Sequence, residues 1–331
     1  MAVAERDIGR RPASRRAPRT PAEWPRVVRA AHARGAAGAL LGLALLGALI
    51  DPPALAVQLV FVAMAVALLG LPHGAIDGLG GAAVFARRTG RGWAGFVAFY
   101  LALAALVVAA WIVVPVAMLA AFLALAVWHF GSGDAEAAGA ARGALPGAEV
   151  VARGALPIVL PVALHPQETG TIFAWLADTP GLVATTEAAT TPLLVVWGVA
   201  VLAAVAGRVQ RGASLGGPHL AEFAALVAVF ALWPPLLAFA AYFALVHAPR
   251  HMLKIDPGPP GGSFLRTIAR LTRLGLPLTA VTLAGAALGF WVLSAGDTPL
   301  TAGLKTLFWG LSALTVPHML LDSLEERSGD R

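Results

Sequence analysis

The 331-residue chain is 58% hydrophobic and only 13% charged, with a mean hydropathy of +0.77. A soluble domain carries roughly a quarter of its residues charged, so this balance excludes an ordinary water-soluble enzyme. The formal charge of +6 does not indicate nucleic acid as a partner. Nine arginines lie between Arg6 and Arg34, and most other basic residues occupy short loops between apolar runs, which is a topology signal with attraction for anionic lipid.

In chain order, residues 1–35 form an Arg-, Pro- and Ala-rich head, too long and polar before its first apolar run for a cleavable signal peptide. It reads as a disordered cytoplasmic tail. Apolar segments then follow at 36–50, 54–71, 93–113, 115–131, 150–165, 190–207, 219–234, 236–253, 274–294 and 302–321. Each is near the length that a bilayer core requires, and none alternates with the period of a barrel strand. Backbone polar groups in lipid must be satisfied within helices, so the predicted fold is all-α: a polytopic transmembrane bundle of about ten helices, eight to ten being compatible. Residues 36–323 make up the membrane domain and 324–331 a short C-terminal tail.

Proline punctuates this series. Asp51-Pro52-Pro53 and Trp233-Pro234-Pro235 mark tight reversals, because proline cannot continue a helix ladder. Pro157, Pro161 and Pro166 predict a kinked or re-entrant segment at 150–165, and 166–189 suits a small external cap.

Charge in the loops orients the bundle. With the Arg-rich head inside, the even-numbered loops carry Arg87, Arg88 and Arg91, then Arg142 and Arg153, Arg208 and Arg211, and finally Lys254, Arg266, Arg270 and Arg273. The opposite loops carry Asp51, Glu168, Asp178, Glu187 and Asp297, with Lys305 the single exception. The expectation is a multi-pass inner-membrane protein with both termini cytoplasmic.

Eight histidines are present, and five close even-numbered segments at that cytoplasmic level. His73 lies in Pro72-His73-Gly74-Ala75-Ile76-Asp77, and His129 in Trp128-His129-Phe130-Gly131 ahead of Asp134. His247 and His251 share His247-Ala248-Pro249-Arg250-His251, while Pro317-His318-Met319 precedes Asp322. His247 and His251 stand at i and i+4, so both imidazoles can reach one ion, although Pro249 between them can alter that geometry. An Asp follows His73, His129 and His318 within four or five residues, as partners that hold a ligand's second N–H do. Ionisable residues inside membrane segments are costly and mark function, whereas any one such histidine is as readily a helix-to-helix hydrogen-bond partner. His32 reads as a solvated tail residue and His165 lies toward the opposite face. His219 with Glu222 reads either as an added ligand pair or as ordinary helix capping.

Cysteine is absent, so any metal must be held by His, carboxylate or carbonyl groups. An imidazole set suits Fe, Zn, Cu or Ni. Four neutral histidines on an octahedral Fe(II) leave room for dioxygen, whereas catalytic zinc normally takes three protein ligands; copper remains compatible.

These four motifs, in this order on apolar segments, resemble the bacteriorhodopsin-related-protein-like (Brp/Blh) family of polytopic membrane β-carotene 15,15′-dioxygenases. The resemblance spans residues from about 36 to 323. It implies oxidative cleavage of the central double bond of β-carotene to two retinal molecules, with O2 and non-haem Fe(II). It further implies His73, His129, His247 and His251 as iron ligands, with His318 a ligand or a support. Asp77, Asp134 and Asp322 would stand behind them. A lipid-dissolved substrate without hydrogen-bond handles needs an apolar tunnel, for which Trp128, Phe130, Tyr242, Phe243, Phe308 and Trp309 are candidates; each is also readable as a lipid-facing aromatic. The implied partners are β-carotene, O2 and membrane lipid, with a functional link to a rhodopsin.

Two rival readings use the same residues. A membrane desaturase or hydroxylase clusters histidines at cytoplasmic helix ends but needs dense HxxHH runs, which are absent here. A metal-ion transporter would use the His/Asp set as a permeation site, and would more often show broken helices at mid-membrane and an internal repeat. A non-enzymatic carotenoid or retinal carrier is a third.

Overall fold

The computed structural model describes residues 26–75, 90, 92–139, 147–213, 216–256 and 263–327, with the side chains of 255 and 322–327 outside that description. The described elements are helices: α1 (Arg26–Gly47), α2 (Leu55–Ala65), a π-helical turn (Val66–Gly70), α3 (Leu71–Ala75), α4 (Gly92–Val113) and α5 (Pro115–Ala137). They continue with α6 (Gly147–Gly154), α7 (Leu156–Leu164), α8 (Pro166–Leu176), α9 (Leu182–Gln210) and α10 (Pro218–Leu232). Last come α11 (Pro235–Tyr242), a second π-helical turn (Phe243–His247), α12 (Ala248–Ile255), α13 (Phe264–Leu293) and α14 (Pro299–Arg327). Among the described residues the chain is thus an all-α polytopic bundle.

Every one of the ten apolar segments falls on a helix. Among the described residues, seven helices are long and apolar enough to cross a membrane: α1, the continuous Leu55–Ala75, α4, α5, α9, the continuous Pro235–Lys254 and α13. The proline-rich segment forms α6 and α7, bent by 49° at their junction, which would make an eighth span. Helix α10 is apolar but only 15 residues long, about 22 Å of rise, short of a full hydrocarbon core. Helices α5, α8, α10 and α11 each open on a proline at the first turn, where the missing N–H costs no hydrogen bond.

Side chains sort by face. Val195, Val199 and Leu202 on α9 are more than half exposed, and such apolar exposure suits lipid rather than water. The interior holds two large clusters. One joins Leu40, Leu156, Phe230 and Tyr242; the other joins Trp111, Leu236, Phe243 and Leu304. Helix α5 meets α6 without side chains between them, because a Cβ on Gly131 would overlap the Val150 carbonyl oxygen and one on Gly154 that of Val127. This close approach is the structural reason for the glycine after His129-Phe130.

Two expectations change. Helix α1 starts at Arg26, so residues 26–35 belong to the bundle rather than to a disordered tail; residues 1–25 lie outside the described ones. His32 is accordingly not solvated: it is buried, and its Nε2 donates to the Leu245 carbonyl at 3.1 Å. Lys305, the exception to the charge pattern, has its charge cancelled locally. Its ammonium donates to Asp178 at 2.7 Å and to Asp297 at 2.9 Å, both from loops expected at the opposite face. The segment 166–189 is α8 followed by the start of α9.

Candidate metal centre

Two of the histidine motifs share one local construction. Pro72 and Pro249 each follow a π-helical turn by two residues. A proline ring collides with the carbonyl four residues back and offers it no N–H; here those carbonyls belong to Leu68 and Leu245. Widening the preceding turn to the π register accommodates the ring, and such turns recur at functional sites. The Leu245 carbonyl receives its hydrogen bond from His32 instead. The two π turns pack on each other at the centre of the bundle, which sets His73 against His247 with ring centroids 5.4 Å apart.

The other motifs complete the ring. His129 on α5 stacks edge-on to His247 at 4.9 Å. His318 on α14 lies 5.1 Å from His129 and 5.9 Å from His73. His251 on α12 lies 5.1 Å from both His73 and His318. Residues separated by up to 245 positions (73 to 318) therefore form one imidazole cluster. Among the described residues, His73, His129 and His247 each bring one ring nitrogen to within 4.8 Å of the other two.

The donor set fits a divalent transition metal. One ring nitrogen each from His73, His129 and His247 converges on a common point, and unprotonated imidazole lone pairs held together in an apolar interior are costly unless something electropositive is shared among them. A borderline cation shared by the rings resolves it, and neutral imidazole nitrogens suit iron, copper or zinc.

The acidic residues behind the ring are placed differently from the His-then-Asp pattern. Asp134 turns to Arg250 and Tyr242, accepting from the guanidinium and, at 3.0 Å, from the phenol. Glu222 accepts from the other arm of Arg250. Arg250, Asp134 and Glu222 are all buried, so one guanidinium bridges α5, α10 and α12. Asp134 thus reaches the histidines through Arg250, the residue next to His251. Glu222 is an Arg250 partner rather than a helix cap, and His219 is only partly buried. Asp77 lies outside the described residues, as does the side chain of Asp322 on α14. A further layer closes this end of the bundle: Lys254 pairs with Glu136 at 2.8 Å, Arg29 donates to the Glu136 carbonyl, and Arg208 and Arg153 pair with buried Glu149.

An apolar cavity of about 830 Å³ adjoins the cluster, with His73, His129, His247 and His318 in its wall. Phe130, Phe243, Phe308 and Trp309 line it. Trp128 does not. It is 56% exposed, because one residue from His129 is a turn of about 100° around the helix. Tyr242 does not line it either, being committed to Asp134. Sequence reasoning missed Arg250 as the hub of the buried ion network. The available signal was a charged residue between two histidines within an apolar segment.

A family model described as Beta-carotene 15,15'-dioxygenase matches residues 64–324, a stretch containing all five clustered histidines. A Halobacterium salinarum protein named "Probable beta-carotene 15,15'-dioxygenase Blh" is 30% identical over 283 residues, covering 78% of this chain and 82% of its own. A protein of an uncultured marine bacterium, 66A03, named "Beta-carotene 15,15'-dioxygenase", is 28% identical over 265 residues, covering 77% and 90%. No solved structure matches the chain significantly.

Proposed function

The chain belongs to the β-carotene 15,15′-dioxygenase family, and from that premise we propose that its histidine cluster and cavity cleave β-carotene at the central double bond. One O2 is consumed and its two oxygen atoms become the aldehydes of two retinal molecules, so no external reductant is needed. The observation that carries this reading is the position of the imidazole ring: it forms part of the wall of a large apolar cavity, where a lipid-soluble polyene can bring its middle to a metal.

His73, His129 and His247 would hold a non-haem Fe(II), with His251 and His318 completing or supporting the set. When bound, the iron supplies activation of O2 for attack on the polyene. The chain's own residues do the rest. A hydrocarbon substrate offers no hydrogen-bond handle, so Phe130, Phe243, Phe308 and Trp309 position it by shape and π contact. The apolar walls exclude water that would divert reactive species. Arg250, with Asp134 and Glu222, fixes α12 beside α5 and so holds His251 and His247 in place.

The same residues weigh against the rivals. A two-metal desaturase needs more histidines than this cluster of five supplies, and the other three lie outside it: His32 bonds the Leu245 carbonyl, His165 bonds that of Phe230, and His219 sits at the start of α10. A permeation site would need a polar path through the membrane, whereas the cavity below the cluster is apolar.

The enzyme would reside in the inner membrane with both termini cytoplasmic, draw substrate from the lipid, and supply retinal to a retinal-binding protein such as a rhodopsin. Expression in β-carotene-producing bacteria tests the activity. Coloured cells should bleach and yield extractable retinal. Cells that keep their colour and give no retinal would overturn the reading.

A further inference from the structure

The cavity is enclosed on one side only. Its inner wall, with Leu236 at 2% and Phe243 at 3% exposure, is fully covered. Its outer wall is not. Ile112 on α4 and Val281 on α13 line the same cavity and are each 68% exposed; Leu101 and Leu288 behave alike. Helices α4 and α13 both pack on α14, so the open side is a trough with α14 as its floor and α4 and α13 as its banks.

The α13 bank is cut low where it faces the trough. Gly285 and Gly289 line the cavity, and a Cβ on either would meet nothing within 4 Å. Gly310 on the α14 floor is equally open. The level of these residues relative to the histidines follows from Gly275, which lies against the Pro72 carbonyl, next to His73. Gly285 and Gly289 are ten and fourteen residues further along α13, about 15 and 21 Å of helical rise. Half of a C40 carotenoid, nine chain carbons and a terminal ring beyond the central bond, has a length of that order.

The geometry points to the α4–α13 trough as both the port through which the carotenoid slides in from the lipid and the seat of one of its halves, with the ring beside Gly285 and Gly289. The other half occupies the covered branch of the cavity between α8 and α11, where Ile172 and Leu236 lie. This assignment rests on the dioxygenase reading. It makes Gly285 and Gly289 specificity-determining residues, since their missing side chains leave space for a ring on one arm only.

A substrate truncated at one end separates this role from general damage. In Gly289→Phe the new ring fills the far end of the trough. β-Carotene should lose roughly tenfold or more in kcat/KM, while β-apo-8′-carotenal, which lacks one ring, loses about threefold or less. Iron content should stay at the wild-type level. Leu288→Trp, at a position already exposed beside Gly289, is the second variant in case Gly289→Phe fails to fold, and should show the same selectivity. A parallel loss for both substrates, or no loss for β-carotene, would overturn the assignment. Wild-type protein that cleaves neither substrate would instead overturn the dioxygenase reading itself.

Discussion

The guanidinium of Arg250 and the carboxylate of Asp134 form a buried ion pair directly behind the histidine ring. Glu222 takes the second arm of Arg250, and the Tyr242 phenol takes the second oxygen of Asp134. Four residues from α5, α10, α11 and α12 are therefore joined around one planar cation.

Removing one member should be far worse than altering its shape. Arg250→Ala leaves two carboxylates buried without a cation, a loss of about 3–5 kcal/mol. Arg250→Lys keeps the charge but cannot fork to two acceptors. Thermal unfolding in detergent should rank wild type above Arg250→Lys and Arg250→Lys above Arg250→Ala, with iron retention following the same order. An Arg250→Ala protein as stable and as iron-loaded as wild type would remove this network from the site's architecture.

The approach of α5 and α6 makes a separate prediction. Gly131→Ala forces its methyl group into the Val150 carbonyl, and Gly154→Ala into that of Val127. Backbone must shift in either case, at a cost of about 1–3 kcal/mol or more. The shift in Gly131→Ala also moves α5 two residues from His129. Both variants should unfold at lower temperature, and Gly131→Ala should lose more activity than Gly154→Ala. Wild-type melting behaviour in both would contradict the contact.

At the other end of the bundle, buried Lys305 pairs with Asp178, which is largely exposed, and with Asp297. Replacing a buried ion by an apolar residue of like size is often neutral, whereas stripping its partners is not. Lys305→Met should fold and retain activity. Asp178→Asn combined with Asp297→Asn, which leaves the ammonium without a counter-charge, should unfold at the lowest temperature of the three. Asp178→Asn alone should do little, because that carboxylate is 64% exposed and well screened. Expression and melting temperatures of the three variants check the ranking.

Much of this was legible in the residues. Each apolar run became a helix, because hydropathy over such lengths leaves the backbone few alternatives in lipid. The five motif histidines met in space, as their shared membrane level had suggested. What was hidden depends on rotation and on partners distant in sequence. Trp128 and Phe130 flank His129, yet only Phe130 reaches the cavity, since a span's rotational phase is set by packing and not by composition. The Arg-rich composition of the head masked the start of α1, so the burial of His32 was invisible until the unpaired Leu245 carbonyl above Pro249 was in view. The Arg250 hub joins positions 134, 222 and 250, and no spacing rule links them.

The central claim is that the imidazole ring holds the iron that cleaves β-carotene. Its most direct test is metal analysis of the purified protein, paired with retinal formation, for wild type and for His73→Ala, His129→Ala and His247→Ala. Wild type should carry roughly one iron per chain, lose retinal formation on chelation and regain it with Fe(II). Each alanine variant should fold but hold little iron and make no retinal. Variants that keep both iron and activity, or a wild-type protein that cleaves β-carotene free of iron, would contradict the account.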